Sequence, residues 1–396
     1  MKGMIGSGFS FLRQPRVLFG PGRIDELPGL ASLFGKRMLL VTGGRSLEES
    51  GMLQRLLGLC AGHGVRCDHA RVTGEPSPEV VDGIVERFRT VGIAVVAGVG
   101  GGSVIDAAKA VSAMLLQEAP VERFIEGREG FLVHDGRKVP FIAAPTTAGT
   151  GSEATSNAVI SRIGRDGFKR SLRHDAFVPD IALVDPVLHC SAPRNLTLSS
   201  GMDALTQLLE AYLSPSASPL SDCMAWSGLE YFARSFLPAC GEGSDDVEVR
   251  AGMAYAALVS GIALANAGLG IVHGFASSIG GRIDIPHGEL CATLLYTATR
   301  ENISALQESG QGEAFLEKFS RAGCLLSGRS VAGTAAGCEA LLEQLELWQE
   351  QLGFRRLREF GLERAEIEPV VAATRAKNNP VDLDNSALKT IVEERW

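Results

Sequence analysis

Two hydrophobic rhythms divide this chain. Up to about residue 185, short apolar runs alternate with helical patterns; from about Ser191, helical patterns follow one another almost without a strand signal. Residues 36–42, 66–72, 93–99, 141–144, 159–162 and 181–185 read as strands. Helical patterns fall at 52–64, at 80–91 after the turn signal EPSPE, and from near Val104. Strand–helix alternation of this kind requires a parallel sheet with helices on both faces. The later segments 201–213, 221–236, 246–268, 288–302, 312–327, 330–352 and 363–376 predict an all-helical unit. The turn-rich stretch 188–195 sets the boundary, giving an α/β domain over 1–190 and a helical domain over 191–396.

A chain of 396 residues supports two large cores. The net charge of −8 argues against a nucleic-acid partner and gives no attraction to anionic membranes. Residues 251–272 carry no charge, but their Ala, Gly, Ser260 and Asn266 suit a buried core helix better than a membrane span. Eight cysteines, at 60, 67, 190, 223, 240, 291, 324 and 338, form no CxxC pair and read as reduced, mostly buried small hydrophobes. With no sustained apolar run in MKGMIGSGFSFLRQP, a cytoplasmic protein is expected.

Two loops are suited to phosphate. VAGVGGGSVIDAAKA ends a buried strand in glycines and opens a helix directly after, so the backbone can approach a diphosphate under free N–H groups. Alone, it would equally be a tight strand–helix turn. APTTAGTGSEAT is a second loop of Gly, Thr and Ser after another strand, and two such loops fit one dinucleotide. The common G-x-G-x-x-G fingerprint is absent.

Asp203 and Gln207 lie four apart in GMDALTQLLEAY and share one helix face. With His273 and His287 of IPHGEL they suggest a divalent-metal site with room for a substrate oxygen. Gln207 is the odd member, because an amide oxygen brings no charge. It reads as a weak fourth ligand, as a neighbour of a three-ligand site, or as the mark of a metal-poor site. Fe(II) and Zn(II) both accept the donor set. His63, His69, His134, His174 and His189 read as surface or structural.

GGGSVIDAAK, PTTAGTGSE, GMDALTQLLEAY and VHGFASSIGG followed by IPHGEL, in this order, resemble the iron-containing (group III) alcohol dehydrogenase family over about residues 15–380. The resemblance implies a dinucleotide-binding domain joined to a helical metal-binding domain, reversible hydride transfer between NAD(P)H and an aldehyde or ketone, and a homo-oligomer. It implies that Gly100, Gly101, Gly102, Ser103 and Asp106 belong to the diphosphate loop. Thr146, Thr147, Gly149 and Ser152 would lie beside the nicotinamide ribose, and Lys169 would join the cofactor site. Asp203, His273 and His287 would be three of four metal ligands and the catalytic centre. Gln207 stands where the family most often has His, and Ser277 stands where many members have a second His four residues after His273.

These departures grade toward maleylacetate reductases, whose keto-acid chemistry depends less on metal. The proton would then come from water, a ribose hydroxyl or Ser277. Asn157 and Thr155 are weaker substrate-side candidates. Gly43 and Gly44 occupy the position after the first strand where NAD-specific members often carry an acid, and Arg45 follows. This favours NADP(H) over NAD(H). Two other readings stand beside the oxidoreductase. A lyase similar to dehydroquinate synthase needs a dense Lys/Arg cluster that the helical half does not show near the ligands. The other is a nucleotide-binding protein without catalysis.

Overall fold

The computed structural model describes residues 8–165 and 167–396; residues 1–7, part of the segment read for a leader, lie outside the described residues. The first half carries β1 (Arg16–Phe19), β2 (Arg37–Thr42), β3 (Arg66–Arg71), β4 (Val95–Gly100), β5 (Phe141–Pro145), β6 (Asn157–Arg162), β7 (Phe168–Arg173) and β8 (Ile181–Val184). Interleaved with them are α1 (Leu27–Ser32), α2 (Ser46–Glu49), α3 (Met52–Gly62), α4 (Pro78–Phe88) and α5 (Gly102–Met114). The second half runs through α6 (Arg194–Tyr212), α7 (Pro219–Ala239), α8 (Val247–Ala267), α9 (Ile271–Gly280) and α10 (His287–Ser309). It ends with α11 (Glu313–Ser327), α12 (Thr334–Gln351), α13 (Ile367–Ala373) and α14 (Asn385–Glu393).

Six strands form one parallel sheet in the order β1-β8-β5-β4-β2-β3, while β6 and β7 pair as a separate antiparallel hairpin. The period-two side-chain alternation of strands splits its apolar residues between two layers. Leu39, Val41 and Val96 pack with Ala107, Ala108 and Val111 of α5, while Met38, Leu40 and Val95 pack with Leu53 and Leu56 of α3. The chain leaves β2 toward β3 and returns through β4 on the other side of β2. Thr42 pairs with Val99 across this reversal, so the loops after β2 and β4 emerge side by side at the carboxyl edge. Ligands of open α/β sheets bind at such a switch point.

β1 was not anticipated: RVLF is too short to show a period, and its pairing with β8 comes from the far end of the domain. β7 was likewise missed because FKRSLR is largely polar. The uncharged run 251–272 is not one helix. α8 ends at Ala267 because Gly268 adopts φ 75°, and a side chain there would strike Asn378 at 2.0 Å. A new helix, α9, starts at Ile271 and carries His273 in its first turn. α8 itself packs among α6, α7 and their core, which explains an apolar surface all round. The single helix expected over 363–376 is instead a short 3₁₀ turn, 364–366, and α13. α14 lies beyond every helix anticipated.

His189, expected to be surface or structural, is buried at 2% exposure, where one ring nitrogen bonds the Pro145 carbonyl at 3.0 Å. Burial pushes it from 6.5 down to about 4. The unfolded chain therefore takes up a proton between these values while the folded chain does not, so stability falls as pH drops through this window. His189→Gln should lessen the loss by about 2 kcal/mol near pH 5 in urea titrations. An unchanged acid slope would contradict this role.

Candidate active site

Asp203, Gln207 and Glu210 recur at helical spacing along the buried face of α6. His273 presents from the first turn of α9, and His287 is the first residue of α10 after Pro286. Three segments distant in sequence thus converge on one point. Asp203 Oδ1 lies 3.4 Å from His273 Nε2 and 3.6 Å from His287 Nε2. His273 Nδ1 meets Glu210 Oε2 at 2.7 Å, and Glu210 Oε1 accepts the Val272 N–H at 2.7 Å. One carboxylate therefore caps the start of α9 and fixes the His273 ring with Nε2 free to ligate.

The electrostatics of the cluster set burial against neighbouring charge. Burial disfavours the Asp203 carboxylate, but His287, His273 and Lys169 outweigh it and hold the group ionised. Burial opposes charge on His273, yet Cys291, Glu210 and Asp203 raise its proton affinity overall. His287 lies at the cleft floor with 23% of its side chain open. Burial pushes it down to about 4 despite Asp203, so it is neutral near pH 7 and able to coordinate. His287 Nδ1 is buried without a hydrogen-bond partner.

Gln207 is engaged on both sides of its amide. Its Nε2 donates to Asp203 Oδ1 at 3.1 Å, and its Oε1 accepts from Ser260 Oγ at 2.7 Å. The hydrogen-bond network thus holds the amide oxygen at Ser260 and the amide nitrogen at Asp203. Cys291, read as a small hydrophobe, instead has Sγ 3.9 Å from both Asp203 Oδ1 and His273 Nε2. Burial pushes this thiol up to about 11. Donor atoms of Asp203, His273, His287 and Cys291 all lie within 4.8 Å of one another, so the residues fit a divalent metal. Sequence reasoning missed Glu210 and Cys291. The spacing to Asp203 signalled Glu210, and position i+4 from His287 signalled Cys291.

The glycine loop reaches the same cleft. It is a recess of about 680 Å³, lined in part by Gly102, Ser103, Asp106, Ser152, Asn157, Lys169, Gln207, His273, Ser277 and His287. α5 opens at Gly102 with Gly101 as its N-cap, so its first N–H groups have no helical acceptor. A side chain at Gly102 would lie 2.5 Å from Thr150, and one at Gly101 would lie 3.4 Å from Thr147. The Thr146 N–H donates to Gly100 O at 2.9 Å, binding the two loops together. Gly149 abuts Ser200 of α6, and Gly151, at φ 59°, touches Gly261 of α8. Gly43 lies beyond β2, where an added Cβ would sit 3.2 Å from Val104.

Other expected site residues have different duties. Asp106 Oδ2 accepts the Val159 N–H at 3.0 Å, and buried Lys109 bonds Ser152 O, Thr155 O, Thr155 Oγ1 and Asn157 O at 2.7–3.0 Å. This pair stitches α5 to the second loop, and it occupies Thr155. Asn157 Nδ2 reaches Ser171 Oγ at 3.2 Å. Lys169 bonds Glu75 Oε2 at 3.1 Å, and Ser103 bonds Glu75 Oε1 at 3.4 Å. Glu75 was read only as part of a turn. Ser277 is exposed and donates to the His273 carbonyl at 3.1 Å. A Lys/Arg cluster absent from the helical patterns is also assembled: Arg128, Arg165, Arg170, Arg173, Arg282 and Arg375 line a recess that adjoins the cleft at Lys169. The β6–β7 hairpin supplies much of it, and hairpin residues are remote in sequence from the ligands.

The parallel-sheet domain and the helical domain that carries the donor cluster together have the architecture of iron-type dehydrogenases. Residues 14–186 match the model described as iron-containing alcohol dehydrogenase, and residues 197–396 match the C-terminal model of the same family. The chain belongs to the iron-containing alcohol dehydrogenase family, enzymes of NAD(P)-dependent alcohol and aldehyde oxidoreduction. It is 35% identical over 282 residues to an NADPH-dependent butanol dehydrogenase of Clostridium saccharobutylicum, covering 71% of this chain and 70% of that one. It is 29% identical over 394 residues to the 1-propanol dehydrogenase PduQ of Salmonella typhimurium, covering 97% and 99%. The crystal structure of a 1,3-propanediol oxidoreductase superposes with TM-score 0.87 at 28% identity, covering 98% and 100%.

Glu210→Ala should weaken metal binding about 10- to 100-fold, measured by competition with a chelator, because the His273 ring loses its anchor. Glu210→Gln, which keeps an acceptor, should lose less. Parent-like affinity in the Ala variant would contradict the anchoring role.

Proposed function

We propose that this enzyme reduces a small aldehyde or ketone with NADPH, and runs in reverse, at a divalent centre held by Asp203, His273 and His287. The observation that carries this reading is the shared cleft: the N-terminus of α5 and the imidazoles of His273 and His287, two of the four clustered donors, line one recess. We assign the dinucleotide to the unit 1–190 and the metal and substrate to 191–396. When bound, the ion supplies Lewis acidity toward a carbonyl oxygen and the dinucleotide supplies the hydride.

The chain's own residues do the rest. Gly100 ends β4, and past it Gly101, Gly102 and Ser103 at the start of α5 are assigned to the diphosphate, whose charge the α5 dipole favours. Ser152, which lines the cleft, and Thr146, Thr147 and Gly149 of the same loop are assigned to the nicotinamide ribose. Asp106 supports that loop through Val159 and Lys109. Glu210 holds His273 in one tautomer, and Gln207 holds Asp203 in place. Lys169, held by Glu75, provides a cation on the cleft wall. Ser277 Oγ is engaged with a carbonyl in place of an imidazole, so the proton is assigned to water or a ribose hydroxyl.

Gly43 offers no carboxylate to a ribose, and the exposed Arg45 beside it has no ion-pair partner among the described residues. Neighbouring Arg71 is engaged by Glu48. Arg45 is therefore the cation assigned to a 2′-phosphate. A second reading, a keto acid as substrate, is favoured by the arginine-lined recess beside Lys169.

Initial rates should give a lower KM for NADPH than for NADH, and Arg45→Asp should remove the preference. A strong NADH preference in the parent would refute this cofactor assignment. His273→Ala should lose both bound metal and turnover across a panel of aldehydes and keto acids; full activity of the metal-stripped variant would refute the metal-assisted reading.

A further inference from the structure

The cluster around Asp203 contains a donor that the motif reading does not use. Cys291 lies four residues after His287, one turn along α10, so both side chains project from the same face of that helix. It is fully buried, and its sulfur makes no hydrogen-bonding contact among the described residues except with Asp203 Oδ1 and His273 Nε2. A cysteine serving only as core filler has no need to aim its sulfur at a carboxylate and an imidazole. Here the sulfur is buried and, unlike His273 and His287, does not line the cleft.

The spacing approaches that of a coordination polyhedron, with all four donors within 4.8 Å of one another. A tetrahedral ion with nitrogen or oxygen donors at ~2.1 Å and sulfur at ~2.3 Å keeps its donors about 3.4–3.6 Å apart. The cluster already places Asp203 Oδ1 at 3.4 and 3.6 Å from the two imidazoles, and Cys291 Sγ at 3.9 Å from Asp203 Oδ1 and from His273 Nε2. Meanwhile the amide oxygen of Gln207 is taken by Ser260.

We infer that Cys291 Sγ, rather than Gln207, is the fourth protein donor to the metal. The inference rests on the metal reading above and adds the donor's identity. On binding, the thiol would give its proton to solvent and coordinate as thiolate, and a protonated His273 would likewise release its Nε2 proton. Two anionic donors then balance a divalent charge, and the soft sulfur favours Zn(II) over hard oxygen-seeking ions. The cleft side stays open for a substrate oxygen.

Cobalt(II) reports sulfur coordination directly by its spectrum. The full-length protein, stripped by chelator and reloaded with one equivalent of Co(II), should show an intense near-ultraviolet sulfur-to-cobalt charge-transfer band beside weaker visible d–d bands. Cys291→Ser and Cys291→Ala should bind Co(II) without that band, and bind Zn(II) at least about 100-fold more weakly in chelator competition, beyond what loss of a supporting group costs. Gln207→Ala should keep the band. Stoichiometric Co(II) with d–d bands but no charge-transfer band in the parent would overturn the Cys291 assignment while leaving Asp203, His273 and His287 as ligands. No Co(II) binding by the folded parent would overturn both readings. Circular dichroism of each variant shows whether a lost band reflects lost folding.

Discussion

Asp203 keeps a negative charge where water barely reaches, with only 2% of its side chain exposed. An ionised carboxylate in such a place must be matched by positive charge or hydrogen bonds. The helical half is arranged to supply them. Gln207 donates to it from the next turn of α6, and the imidazoles of His273 and His287 lean toward it from two other helices. Around one buried charge, three helix segments acquire fixed relative positions, and a divalent ion would complete the balance. The centre is therefore a structural constraint as much as a chemical one.

The break after α8 follows from the same need. A continuous apolar helix through residue 272 would have carried His273 along the α8 axis. Gly268 stops that helix, and α9 begins with its second N–H and its His273 ring both anchored on Glu210. Local backbone chemistry, a positive-φ glycine and an N-terminal carboxylate, thus sets an imidazole's orientation. On the other wall, buried Lys109 joins the carbonyls of the second loop to α5, so the two glycine-containing loops are tied together.

The alternation of strands and helices was legible because each buried strand of the sheet is a compact apolar run, and 36–42, 93–99 and 141–144 fall on β2, β4 and β5 within a residue or two. RVLF and FKRSLR carried no such run, so β1 and β7 emerge only from pairing. The site divided in the same way. Asp203, His273 and His287 stood out because their motifs are distinctive. Glu210 and Cys291 did not, since a glutamate in LLEAY and a cysteine in GELCA look like a solvated face and a core filler. Only the crossing of α6, α9 and α10 reveals what they face. The arginine-lined recess was likewise invisible, because hairpin residues and Arg375 meet only in space.

Anomalous diffraction from crystals loaded with a single metal locates the ion relative to Asp203. Data collected on either side of the metal's absorption edge should give one strong difference peak, bounded by Asp203, His273 and His287 at the floor of the cleft. A peak elsewhere, or none in fully loaded crystals, would contradict the account.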